Sequence, residues 1–150
     1  MKGMALLHDP AVRDSIRARV QQLSSDMAPR WGKMTVDQML WHVNRVLSNA
    51  LGEFAPDDIP VPIPRALAKF VTLTMPWPKN FETQPAYRVD GRYVFTAERD
   101  RCLALIDEVT SRRIDSTSWG KSAAFRNMSG RDWSRLNAKH LDHHLRQFGV

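Results

Sequence analysis

The closing stretch Ser129–Val150, S-G-R-D-W-S-R-L-N-A-K-H-L-D-H-H-L-R-Q-F-G-V, constrains the fold more than any other. Ser129 and Asp132 have the spacing of a capping box, in which each residue satisfies a backbone N–H of the other's turn. Gly149 is a helix stop. Between them Trp133, Leu136, Leu141, Leu145 and Phe148 recur at helical spacing and fill one broad arc. His140 and His144, one turn apart, point into the middle of that arc. Asn137 and Gln147 share the face, and His143 sits at its edge. A polar row inside an apolar stripe is costly unless something satisfies it. Hydrogen bonds within a core are one way. A metal ion is another, because imidazoles at i and i+4 reach a common centre.

Three more long helices follow from the same signals. Asp9 caps the first and Pro10 takes N1, where the missing N–H costs nothing. Val12, Ile16, Val20 and Leu23 form its stripe, and it ends near Ser24. The second starts at Thr35, with Gln38 as capping partner, and stops at Gly52. Met39, Leu40, Val43, Val46, Leu47, Ala50 and Leu51 make a wide apolar arc with His42 at its edge, where a lone histidine is expected to be partly exposed. The third long helix spans about Thr96 to Arg113, with Cys102, Leu105, Ile106 and Val109 on one face.

Between the second and third long helices the pattern changes. Seven of the nine prolines fall between Pro56 and Pro85, which excludes a continuous helix. Extended segments and one short helix near Arg65–Thr74 are expected, with a hairpin over Tyr87–Phe95 turning at Asp90-Gly91. Phe70, Val71, Leu73, Trp77, Phe81 and Tyr87 argue against disorder. An ordered connection of this length crosses a bundle end or covers a site.

The length of 150 residues suits one domain over 1–150 with a real core. Cys102 is the only cysteine, which excludes an intrachain disulfide and fits a cytoplasmic setting. The opening M-K-G-M-A-L-L-H-D-P has too short an apolar run for a signal peptide, and Ala66–Met75 is too short for a membrane span. The net charge of +6 permits nucleic-acid binding. The basic residues are nevertheless interleaved with acidic ones, as in Arg99-Asp100-Arg101, and no nucleic-acid motif is present.

Amphipathic helices without convincing strands predict an all-α four-helix bundle. The first and last connections are short enough for antiparallel neighbours. The Pro-rich crossover is long enough to return the chain in the same direction, so an up-down-down-up order is expected. In that order His42 can converge with His140 and His144, leaving positions open for water or substrate, as in catalytic metal sites.

Trp31-Gly32-Lys33-Met34-Thr35, the following Gln38-Met39-Leu40-x-His42 and the terminal K-H-L-D-H-H-L-R-Q-F-G resemble the DinB/YfiT-like superfamily, closest to an uncharacterised branch of it. The resemblance spans essentially the whole chain. It implies a four-helix bundle, often dimeric, holding zinc or nickel on three histidines, which by position are His42, His140 and His144. Members with known activity include transferases and isomerases that use low-molecular-weight thiols such as bacillithiol or mycothiol. The chain departs from the branch near Phe125, where Lys121–Asn127 lacks the expected His-Pro and Gly.

Two functions are expected. One is a metal-dependent enzyme, a thiol S-transferase or a hydrolase, acting on a small molecule. His143 is then the candidate proton carrier, Asn137 and Gln147 orient groups around the ion, and Trp77, Phe81 and Tyr87 line the pocket mouth. The alternative is a non-enzymatic small-ligand or stress-related bundle whose metal site is empty or degenerate. A nucleic-acid role rests on charge alone.

Overall fold

The structure is a computed structural model that describes residues 5–150; residues 1–4, the start of the opening run that is too short for a signal peptide, lie outside the described residues. It is all-α. Among the described residues five helices run in the order α1 Pro10–Gln22, α2 Val36–Ala50, α3 Arg65–Thr74, α4 Phe95–Ser111 and α5 Gly130–Gln147, with a 3₁₀ turn at Pro85–Tyr87. No strand forms among the described residues; one isolated bridge joins Ser122 and Arg126. Among the described residues no helix is long and apolar enough to cross a membrane.

The helix starts follow the capping chemistry. Asp9 Oδ1 accepts from Ala11 N at 3.1 Å. Thr35 N donates to Gln38 Oε1 at 3.0 Å. At α5 the box is reciprocal: Asp132 N donates to Ser129 Oγ at 3.0 Å and Ser129 N to Asp132 Oδ2 at 3.1 Å. Gly149 ends α5 with φ +82°, a conformation that costs glycine nothing.

The core is shared by α1, α2, α4 and α5. Ile16, Val20, Met39, Leu40, Val43, Leu47, Cys102, Ile106, Val109, Leu141 and Leu145 are among its buried members. Polar contacts index the helices against one another. Arg17 reaches Asp107 and the Leu103 carbonyl on α4, and Arg19 reaches Asp142 on α5. Asn44 of α2 donates to the Glu98 carbonyl of α4, and Arg101 of α4 to Ser48 of α2. A smaller cluster of Val46, Ala50, Tyr87, Met128 and Trp133 fills the space between α2 and α5. Gly120 makes that approach possible. A Cβ there would stand 1.9 Å from the Asn49 carbonyl oxygen, while its own carbonyl accepts from Trp133 Nε1 at 2.9 Å.

The crossover is tied down by hydrogen bonds. Arg65 donates to the carbonyls of Ile59, Ala123 and Ala124. Lys69 bridges to Asp132 at 3.0 Å. Lys139 of α5 donates to the carbonyls of Thr72 and Met75, which closes the end of α3. The expected hairpin over Tyr87–Phe95 does not form. Its backbone groups are claimed by the start of α2 instead: Tyr93 N donates to Asp37 Oδ2 at 2.9 Å, and Gln38 Nε2 to the Gly91 carbonyl at 2.8 Å. Tyr93 then stacks on Trp41, with ring centres 5.1 Å apart.

A three-histidine candidate metal centre

α2 supplies one imidazole and α5 two. His42, His140 and His144 are all buried, and their nearest ring nitrogens lie within 4.8 Å of one another. The ring centres form a near-equilateral triangle with sides of 4.8, 4.9 and 4.7 Å. Each pair of rings is close to perpendicular, at 78–79°. An ion about 2.1 Å from each nitrogen would sit about 3.2 Å from each ring centre. At angles between right and tetrahedral, such rings would stand roughly 4.5–5.2 Å apart. The triangle fits a single divalent ion.

The outer nitrogens fix two of the three tautomers. His42 Nδ1 lies 2.8 Å from the Tyr87 carbonyl, which can only accept, so Nδ1 carries the proton and Nε2 the lone pair. Gln147 Nε2 donates to the Trp31 carbonyl at 2.8 Å, which turns Gln147 Oε1 toward His144 Nδ1 at 2.7 Å. His144 Nδ1 is therefore also a donor, and its Nε2 is free to ligate. Backbone and amide acceptors behind ligating histidines orient the rings and raise their basicity. His140 faces His42 with Nε2 to Nε2 at 2.9 Å.

Burial keeps all three rings neutral. It lowers His42, and lowers His140 much further with help from His144 and His42. It brings His144 down to about 3, with His42 adding to the effect. A cluster of neutral imidazoles is the protonation state a metal requires.

A cavity of about 610 Å³ opens above the trio. Its floor is His42, His140, His143, His144 and Gln147, and its roof is the crossover from Val71 to Val89. Trp77, Phe81 and Tyr87 all line it, as does Phe125 from the loop before α5. The only acidic lining residue among those described is the exposed Glu82. His143 is half-buried, edge-on to His144 and Trp31 and tilted against Trp77, and lowered by burial and by Arg146.

His42 is 5% exposed, not the partly exposed residue its place at the stripe edge suggests, because Tyr87 from the crossover covers it. Gln147 sits beside His144. Asn137 is fully buried, with Nδ2 donating to the Trp133 carbonyl at 3.0 Å, and does not line the cavity. The Tyr87 and Trp31 carbonyls were not visible as site groups, because backbone acceptors leave no side-chain signature. Gly32 carried a hint. It has φ +77°, and a Cβ there would stand 2.7 Å from Gln147 Nε2, so Gly32 makes room for the group that holds His144. Cys102 stays a packing residue, its thiol pushed up to about 12 by burial. The fifth histidine, His8, lies elsewhere, bonded to Ser134 and the Arg112 carbonyl.

Searches of curated proteins and of solved structures return no significant match. A family model described as the DinB superfamily matches residues 11–148, nearly the whole chain, and the protein belongs to that superfamily.

Proposed function

We propose that the protein is a metal-dependent enzyme of the DinB type, in which His42, His140 and His144 hold one zinc or nickel ion at the floor of the cavity. The observation that carries this is the convergence of three buried, neutral imidazoles from two helices beneath a roofed pocket. When bound, the ion would act as a Lewis acid toward a thiol or a water molecule, as in a thiol S-transferase or a hydrolase. Tyr87 and Gln147 hold two of the rings. The crossover excludes bulk water, and Trp77 and Phe81 pack the apolar part of a small-molecule substrate, a low-molecular-weight thiol or its electrophilic partner. His143, unshielded on the cavity side, carries protons to and from that substrate.

The setting is cytoplasmic and the assembly a homodimer. Residues 1–150 form one domain, with α1, α2, α4 and α5 as an up-down-down-up bundle. Asn44 pairs with Glu98 and Ser48 with Arg101, so the contacts advance in the same direction along α2 and α4, which supports that order.

Protein purified without chelator or a metal-affinity tag should carry close to one equivalent of metal by elemental analysis. His140→Ala should carry almost none. Wild-type protein that stays empty after zinc and nickel addition would sink the reading. The competing one is a non-catalytic small-ligand bundle, favoured by the lack of a buried carboxylate in the cavity among the described residues. It predicts ligand binding that is indifferent to metal.

A further inference from the structure

One ligand atom in the trio lacks support. His42 and His144 each hand a proton from Nδ1 to an acceptor, but His140 Nδ1 is buried with no partner among the described residues. One turn earlier, Asn137 Oδ1 is buried and equally unpartnered. Its direction is not arbitrary: Nδ2 must face the Trp133 carbonyl, so the oxygen is the free acceptor.

These two atoms do not hydrogen-bond as they stand, and proton counting says what a bound ion would ask of them. The three rings are neutral, and His42 keeps its proton on Nδ1. Its Nε2 can then only accept across the 2.9 Å contact, so His140 Nε2 must donate. His140 therefore carries its proton on Nε2 and a lone pair on Nδ1. A lone pair on Nδ1 and a lone pair on Asn137 Oδ1 have nothing to share. An ion would change this, because ligation through His140 Nε2 needs that lone pair free. One proton leaves Nε2, one is placed on Nδ1, and the ring stays neutral. The new Nδ1–H is buried and needs an acceptor. Asn137 Oδ1, on the same helix face at i−3, is the unclaimed one.

We propose that Asn137 is a positioning residue for His140, accepting from Nδ1–H only when the site is loaded, so that metal binding switches the His140 tautomer. The inference rests on the three rings holding an ion.

Nitrogen NMR of the histidine side chains, with and without zinc chloride, tests it. Without zinc, His140 should show the Nε2–H pattern and His42 and His144 the Nδ1–H pattern. With zinc, His140 should join the other two. Asn137→Leu should weaken zinc binding roughly 10–100-fold in a chelator competition, with Asn137→Asp restoring it. If zinc binds but His140 keeps one tautomer throughout, or if Asn137→Leu binds as tightly as wild type, Asn137 has no such role and the metal reading stands. If zinc perturbs no ring, both fall. The wild-type spectra decide the tautomer even if Asn137→Leu fails to fold.

Discussion

At the scale of single residues the site depends on what stands behind each imidazole. Gly32 shows how far back this reaches. Its φ of +77° disfavours any L side chain, and the space its Cβ would need belongs to Gln147 Nε2. Gly32→Ala should therefore do two things. It should lower stability by about 1–3 kcal/mol from backbone strain, read as a fall in the urea midpoint. It should also push the Gln147 amide off the Trp31 carbonyl, freeing His144 to rotate and weakening zinc binding roughly 10-fold or more in a chelator competition. A variant with wild-type midpoint and zinc affinity would show that Gly32 does neither. Arg126 presents the opposite case, a non-glycine residue at φ +59°. The Ser122 bridge on either side of the turn, with N–O distances of 3.0 and 2.8 Å, holds it there.

Among the elements, α2 is anchored by a buried charge. Asp37 lies in its first turn, with a side chain only 4% exposed, and accepts two hydrogen bonds from Arg92 and one from Tyr93 N. The Arg92 guanidinium holds the carboxyl well below the usual carboxylate range, outweighing burial. A depressed folded-state value means stability that is present above about 3.9, the unfolded value, and lost as pH falls below it. Asp37→Asn should cost about 1–3 kcal/mol at neutral pH, moderated because Arg92 is largely exposed. The gap from wild type should stay constant from pH 8 to 5 and narrow below 4 in urea titrations. A gap that narrows between pH 8 and 5 would contradict the assignment. The same contact shows where sequence reading ran out. The caps of α1, α2 and α5 and the proline cluster are local signals, and the structure reproduces the helices they predict. The turn at Asp90-Gly91 had the local chemistry of a hairpin, but Asp37, over fifty positions earlier, claims the Tyr93 N–H. Likewise His42 reads as an edge residue until the crossover delivers Tyr87 over it. Pairings set by tertiary contact leave no trace in local periodicity. The His140–His144 pair is legible because both residues share one helix; its partner on α2 needs the fold.

Across the whole molecule, the trio couples folding, protons and metal. Each buried imidazole has a folded-state value below that of the unfolded chain, about 6.5. The sign follows directly. Above pH 6.5 both states are neutral there and nothing is lost. Below it the unfolded chain takes up protons that the folded protein refuses, so stability falls by about 1.4 kcal/mol per pH unit for each ring that stays neutral. For His144 the window extends down to about 3. Metal-free protein should lose urea stability steeply between pH 6.5 and 5. Zinc affinity of the still-folded protein should behave differently. Three exposed histidines with ordinary values would lose roughly 10³ in affinity at pH 5.5, because each must shed a proton before it can ligate. The buried rings are held neutral and carry no extra proton, so chelator competition at pH 5.5 and 7.5, with folding checked by circular dichroism, should show a loss far smaller than that. A thousandfold loss while the protein remains folded would mean the rings protonate in place, and that burial does not keep this site ready for an ion.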